Sequence, residues 1–282
     1  MTISRKHRPQ IERSRLLRQW LTWKALRLSR RKGDVEMVAI TGDHIADHIR
    51  AFGLYEREQL ENLRDWILPA GYGQGRVALD IGANIGNHAI FLSRLFDKVI
   101  AFEPNPLARV VCSLNLDLNQ IDNVELHSVG LGQSKSSANV VSRGGNLGAT
   151  HLEPEEGTTG SVAIVAGDEL LGSMDNIGFV KIDIEGGEAA ALAGLAQTLQ
   201  KNRPIIMMEQ LADSASKGAA SAFELLLGTG YRAFEMRRSP KSGLLAMFFA
   251  LVTGRQRYTL ARVENLDPRD YPVLIFMPQG DD

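Results

Sequence analysis

Two glycines and a handful of carboxylates carry most of the chemistry open to this sequence. LDIGANIGNH at 79–88 sets Asp80 just ahead of Gly82 and Gly86, and AFEPNP at 101–106 sets Glu103 at the end of the next apolar run. KIDIEGGE at 181–188 gathers Asp183, Glu185 and Glu188, and RPIIMMEQ at 203–210 carries Glu209. A glycine turn after a strand lets backbone approach a nucleotide-type ligand, and a carboxylate at the next strand end accepts two hydrogen bonds from a ribose diol. A dinucleotide fingerprint needs G-x-G-x-x-G, but Gly82 is followed by Ala83, Asn84, Ile85, Gly86 and Asn87. A nucleoside without phosphates fits better. S-adenosylmethionine is such a ligand, and its ammonium and sulfonium favour nearby carboxylates such as Asp80 and Asp183. The same glycines would also serve simply to pack a strand against a helix.

Proton acceptors come from the same segments. Asp183, Glu185 and Glu209 sit at strand ends, and their crowding predicts a raised pKa for at least one of them. His88, in the first turn after the glycine loop, is a second base candidate or merely a polar helix-start residue. The carboxylates could instead hold Mg²⁺ or Ca²⁺, which prefer oxygen ligands; the reading without a metal is preferred. Glu188 also suits a helix N-terminus, where a carboxylate is favoured by the dipole. Strand alternation puts Lys181 on the side of Asp183, where it either pairs with a carboxylate or meets an anionic substrate. Asn146 and Thr150 in NLGAT offer an amide and a hydroxyl to a sugar. Tyr55 and Glu56 either cap the cofactor site or make a surface contact, and His127 beside Ser128 either packs or touches adenine.

The elements that must position these groups alternate along the chain. RVALDI, KVIAFE, NVELHS, GFVKIDIE and RPIIMMEQ read as strands, with helix-like stretches at 86–96, 105–119, 187–202 and 214–228. That order predicts an α/β fold with a mainly parallel sheet and helices on both faces. SSANVVS and SVAIVA read as extra strands, and GYRAFEMRR and DYPVLIFMP as a late hairpin. A helix over about 43–68 leads in and is broken by LPAGYGQG. The domain reading is a basic amphipathic arm at 1–40, lead-in helices at 41–75 and the catalytic domain at 76–282.

Composition narrows the class. The chain has 282 residues, 44% hydrophobic and 23% charged, which suits an ordinary globular protein. Its formal charge of -1 divides unevenly: residues 1–32 hold eleven Lys/Arg and one acidic residue, +10, which leaves -11 for the rest. An acidic body argues against a nucleic-acid face. The arm places Leu16, Leu17, Trp20, Leu21, Trp23 and Leu28 on one broad side, so residues 13–32 either lie on an anionic membrane or dock on the body. The single Cys112 sits in an apolar pattern and reads as a buried packing residue. No secretory leader is visible, and LLAMFFALV at 244–252 is too short to span a bilayer, which needs about 20 residues. The expected location is cytoplasmic, with peripheral contact at the inner face of the membrane.

LDIGANIGNHAIF, AFEPNP, NLGAT, GDELL, KIDIEGGE and RPIIMMEQ together resemble the FkbM-type methyltransferases, a class I S-adenosylmethionine-dependent family, and LYEREQLENL at 54–63 resembles the lead-in helix of one of its branches. The resemblance covers roughly residues 43–280. It implies a Rossmann-like, seven-stranded sheet and O-methylation of a hydroxyl on a saccharide, lipid-linked glycan or polyketide-type metabolite. Carried over, the cofactor set is Asp80, Gly82, Ala83, Asn84, Gly86, Asn87, Glu103, Pro104, Ser128 and Asp183. GLGQ at 130–133 departs from the pattern common in that family, which weakens the adenine assignment. Two rival classes are a nicotinamide-dependent oxidoreductase, disfavoured by the missing glycines, and a non-catalytic membrane-associated binding protein.

Overall fold

Strands buried on both faces must be apolar along their whole length, and this is what forms the centre of the molecule. The computed structural model describes residues 35–39, 48–49, 53–67, 69–73, 75–142, 150–155, 161–184, 186–210, 218–238, 258–267 and 271–279. In chain order the elements are α1 (Arg57–Ile67), β1 (Val77–Ile81), α2 (Asn87–Leu92), β2 (Lys98–Phe102), α3 (Pro106–Leu118), β3 (Val124–His127), β4 (Gly130–Gly132) and β5 (Ser136–Ser142). Then follow β6 (Thr150–Glu155), β7 (Val162–Ala166), α4 (Gly167–Leu171), β8 (Ile177–Ile182), α5 (Glu188–Gly194), α6 (Ala196–Asn202) and β9 (Ile205–Gln210). The last are α7 (Gly218–Gly228), β10 (Tyr231–Arg238), β11 (Tyr258–Val263) and β12 (Tyr271–Pro278).

The main sheet has the order β11-β10-β12-β9-β8-β1-β2-β3. β1, β2, β3, β8 and β9 are mutually parallel, whereas β12 runs antiparallel to both β9 and β10. β2 and β8 flank β1, so the strand order reverses there, and a crevice opens beyond the carboxyl ends of β1 and β8. One sheet face sends Leu79, Ile81, Ile182 and Met208 against Leu192, Leu195 and Phe223. The other sends Ala78, Phe179, Ile205 and Met207 against Leu63 and Ile67 of α1 and Leu92 of α2. By strand alternation this second face would end in Asp80, Lys181 and Glu209, where further apolar residues would have continued the core.

Side-chain amides strap the N-terminal segment onto this frame. Asn119 accepts from Glu36 N–H at 3.0 Å and donates to Glu36 O at 2.7 Å. Asn115 does the same for Val38, at 2.7 and 3.0 Å, and reaches Ile85 O at 2.8 Å. Asn87 does it for Tyr55, at 2.9 and 3.0 Å. An Asn amide offers donor and acceptor together, so each replaces a strand neighbour for one residue. On the outer side of α3, Leu107, Val110, Leu114 and Leu118 are exposed, as is Val38.

Two expectations need correction, the strand count of the main sheet and the continuity of the lead-in helix. The sheet has eight strands rather than seven, because β11 adds to the outer edge of β10. GYRAFEMRR and DYPVLIFMP do pair, as β10 and β12, and SSANVVS and SVAIVA are β5 and β7 of a separate four-stranded sheet ordered β4-β7-β5-β6. The lead-in helix is interrupted: Gly53 at φ 82 donates to Ile49 O at 2.7 Å, a helix-ending geometry, and α1 begins only after Glu56. Residues 13–32 and 244–252 lie outside the described residues.

Candidate functional site

The glycine turn joins β1 to α2 and is held from beneath. Gly82 and Ala83 donate to Phe102 O at 3.0 and 3.1 Å, and Gly86 N–H closes the turn on Ala83 O at 2.9 Å. Gly82, at φ 84, lies so close to the end of β8 that a Cβ there would fall 2.0 Å from Asp183 O. Gly86, at φ 90, would put a Cβ 2.9 Å from the Sγ of Cys112. The first glycine therefore brings two strand ends together, and the second packs α2 on α3. Cys112 is buried, and burial beside Asp80 and Glu103 pushes its thiol up to about 12, in keeping with a packing role.

Lys181 forms the floor. It faces Asp80 across the β1–β8 ladder, donates to Gly82 O at 2.9 Å, and stands 3.2 Å from both Asp80 Oδ1 and Asp183 Oδ2. Burial pushes the Lys181 amine down, but the two carboxylates outweigh it and hold its pKa above the ordinary value. Burial works upward on Asp183 too, yet the charges of Lys181 and His88 bring its carboxyl below the usual range. The rise expected from carboxylate crowding is thus absent at Asp183, because an ammonium stands between the carboxylates. Asp80 is fully buried, whereas the Asp183 side chain is 42% exposed. Two carboxylates and one ammonium leave one net negative charge.

Glu103 brackets the turn. Its Oε2 accepts from Asn84 N–H at 2.7 Å and its Oε1 from Asn105 N–H at 2.8 Å. Burial raises its pKa against the pull of these two bonds and of Lys181. Each oxygen keeps a lone pair for a hydroxyl donor. Asn84 has the left-handed φ of 50, and its buried Oδ1 has no hydrogen-bond partner among the described residues. An orphaned acceptor beside a two-oxygen bracket and a net negative floor fits a cationic nucleoside such as S-adenosylmethionine.

Around the floor, Glu56, His88, Asp183, Met207 and Glu209 line a small pocket with Lys181. His88 Nε2 lies 3.3 Å from Glu56 Oε2, and both groups are largely buried. Lys181 pairs with two carboxylates, as one of its two expected roles required. The Asn87 amide is spent on Tyr55, and Glu188 Oε1 accepts from Gly186 N–H at 3.1 Å, as a helix-start carboxylate does. Ala83 packs with Ala89 and Ala101, and Pro104 O accepts from Arg109 at 3.1 Å. Ser128 is exposed beside His127, which stacks on Phe102 at 5.1 Å. Glu185 and Asn146 lie outside the described residues, as does the side chain of Thr150, whose backbone opens β6. Among the described residues, no group of three His, Cys, Asp or Glu gathers at metal-ligand distance. Sequence reasoning missed the Glu56–His88 contact and the asparagine straps; a polar Asn115 within the apolar positions of α3 was the available signal.

A main sheet in which β12 and the edge strand β11 oppose otherwise parallel strands, with a glycine turn set above paired carboxylates, defines the class I methyltransferase architecture. The chain belongs to the FkbM methyltransferase family: the family described as Methyltransferase FkbM domain matches residues 80–233. It is 33% identical over 135 residues to the hexuronic acid methyltransferase AglP of Haloferax volcanii, a match covering 46% of this chain and 54% of that protein. It is 25% identical over 142 residues to Methyltransferase 1 of Beauveria bassiana, covering 42% and 57%. The matches span little more than half the length of these curated relatives. Among solved structures, Methyltransferase FkbM of Methylobacillus flagellatus KT aligns with a TM-score of 0.44 and 18% identity, over 71% of this chain and 43% of that one.

Proposed function

We propose that the protein is an S-adenosylmethionine-dependent O-methyltransferase acting on a hydroxyl of a saccharide or lipid-linked glycan. The observation that carries the cofactor is the Glu103 bracket over the Asp80–Lys181–Asp183 floor, with Asn84 Oδ1 left to accept from the ligand. Glu103 would hold the ribose hydroxyls, Asn84 and Asp183 the methionine half, and the stacked His127 the adenine side. Bound there, the cofactor supplies a methyl group on a positively charged sulfur. The chain supplies alignment, the largest contribution to an in-line transfer, and a proton acceptor in the pocket beside Asp183.

The sugar acceptor is supported by the likeness, over 135 residues, to a hexuronic acid methyltransferase. Cytoplasmic placement with peripheral contact at an anionic membrane is supported by the +10 arm. Calorimetry with S-adenosylhomocysteine tests the cofactor. Saturable heat is expected, and Glu103→Ala should weaken binding about tenfold or more, since charge-assisted hydrogen bonds contribute roughly 1.5–3 kcal/mol. No heat with wild type would overturn the reading. Mass spectrometry of uronic-acid-containing glycans incubated with enzyme and cofactor then tests the acceptor; methylation confined to polyketide-type hydroxyls would replace the glycan.

A further inference from the structure

The Glu103 bracket is only as well aimed as the backbone that feeds it. Glu103 Oε1 takes its bond from Asn105 N–H at 2.8 Å, and that N–H lies in the planar peptide unit whose other polar end is Pro104 O. β2 ends at Phe102, and Pro104 and Pro106 bring no N–H, so the segment EPNP has few donors of its own with which to fix that plane. Arg109, in the first turn of α3, reaches back to it. Its Nη1 donates to Pro104 O at 3.1 Å and to Glu103 O at 3.2 Å, so one half-buried guanidinium grips two successive peptide units. Its backbone N–H takes Asn105 O at 3.0 Å as the helix starts, and Asn105 Oδ1 caps Leu107 N–H at 3.0 Å. Asn105 is thereby held at its carbonyl, at its side chain and through the carbonyl before it, while its N–H is left to Glu103.

We propose that Arg109 is a positioning residue for the cofactor ribose: by holding the carbonyls of Glu103 and Pro104 it keeps the Asn105 N–H on Glu103 Oε1 and sets the carboxylate plane for the diol. The inference rests on the methyltransferase reading for its ligand. A carboxylate accepts from both hydroxyls of a ribose only in one orientation, and an orientation fixed before the ligand arrives costs no ordering on binding. Burial works against the charged form of Glu103, and the N–H groups of Asn105 and Asn84 are the two bonds that oppose it. Without Arg109 the 104–105 peptide unit is free to turn. Glu103 Oε1 then loses its donor, and the carboxylate pivots about the remaining 2.7 Å bond from Asn84. Arg109 thus acts on the ligand through the backbone and through Glu103.

Calorimetry on the full chain with S-adenosylhomocysteine and with its 2′,3′-dideoxy counterpart, which lacks both ribose hydroxyls, separates this role from a structural one. Wild type should prefer the complete ribose by about tenfold or more, as charge-assisted hydrogen bonds to Glu103 require. Arg109→Met should cut that preference by about threefold or more through weaker binding of S-adenosylhomocysteine alone, the dideoxy ligand binding as it does to wild type. Arg109→Lys, whose ammonium can still donate to the same carbonyls, should restore part of the preference. Should Arg109→Met not fold, Arg109→Gln, whose shorter amide cannot span both carbonyls, carries the same comparison. An unchanged preference in the folded variant overturns the proposal, as does an equal loss for both ligands, which would make Arg109 a residue of general stability. A wild type that binds both ligands equally removes Glu103 from the ribose and this role with it. One that binds neither sinks the methyltransferase reading itself.

Discussion

Lys181 shows why a buried charge can be needed without touching a substrate. Its ammonium is the only partner within ion-pair distance of the fully buried Asp80 among the described residues, and it also braces the Gly82 carbonyl. Removing one member of a buried pair leaves the other uncompensated, which costs about 3–5 kcal/mol, whereas removing both is often nearly neutral. Lys181→Met should therefore lower unfolding stability in urea by about that amount, and Asp80→Asn with Lys181→Met should recover most of it. The pH dependence has a definite sign. The raised Lys181 amine contributes fully below its unfolded pKa and is lost only as pH climbs through the folded value. The lowered Asp183 carboxyl contributes above its unfolded pKa and is lost as pH falls through the folded one. The gap between wild type and Lys181→Met should accordingly be widest near neutral pH and narrow in acid. A gap that widened in acid, or a double variant no better than the single, would contradict the floor as described.

At the scale of elements, the straps tie the parts that were legible in sequence to a part that was not. β1, β2, β8 and β9 announce themselves because burial on both faces requires unbroken apolar runs, and their polar ends mark the crevice. β11 does not: as an edge strand it buries only Tyr258 and Val263, within a segment dense in arginine. Likewise the lead-in helix looked continuous because its periodicity runs past Gly53, while the break depends on a backbone angle. The Asn115–Val38 contact joins residues 77 apart and leaves no periodic trace. Asn115 forms three hydrogen bonds from a fully buried position, so Asn115→Ala should cost about 2–3 kcal/mol, from lost bonds and from backbone groups left unsatisfied. Hydrogen exchange should show the Val38 amide losing protection while the amides of β1 and β8 keep theirs. Retained protection at Val38 would show that the segment is held by its apolar contacts instead.

For the whole molecule the charge division sets how it meets a surface. A body of -11 is repelled by anionic lipid, and an arm of +10 is drawn to it, so the protein should approach with residues 1–32 foremost. Val35 is the first described residue, and Glu36 after it is pinned to Asn119, the residue that follows the exposed Leu118 of α3. Each basic side chain near such a surface contributes about 1 kcal/mol, an attraction that salt screens within about 8 Å at physiological strength. Among the described residues no helix is long and apolar enough to cross a membrane. Wild-type protein should co-sediment with vesicles containing phosphatidylglycerol, release as salt rises, and ignore vesicles of phosphatidylcholine alone. Deleting residues 1–32 should cut the bound fraction at least tenfold while leaving S-adenosylhomocysteine affinity intact. Val110→Ser with Leu114→Ser should weaken binding further only if α3 enters the lipid as well. Undiminished sedimentation of the deleted protein would release the arm from this task and place any membrane contact on the body, against the sign of its charge.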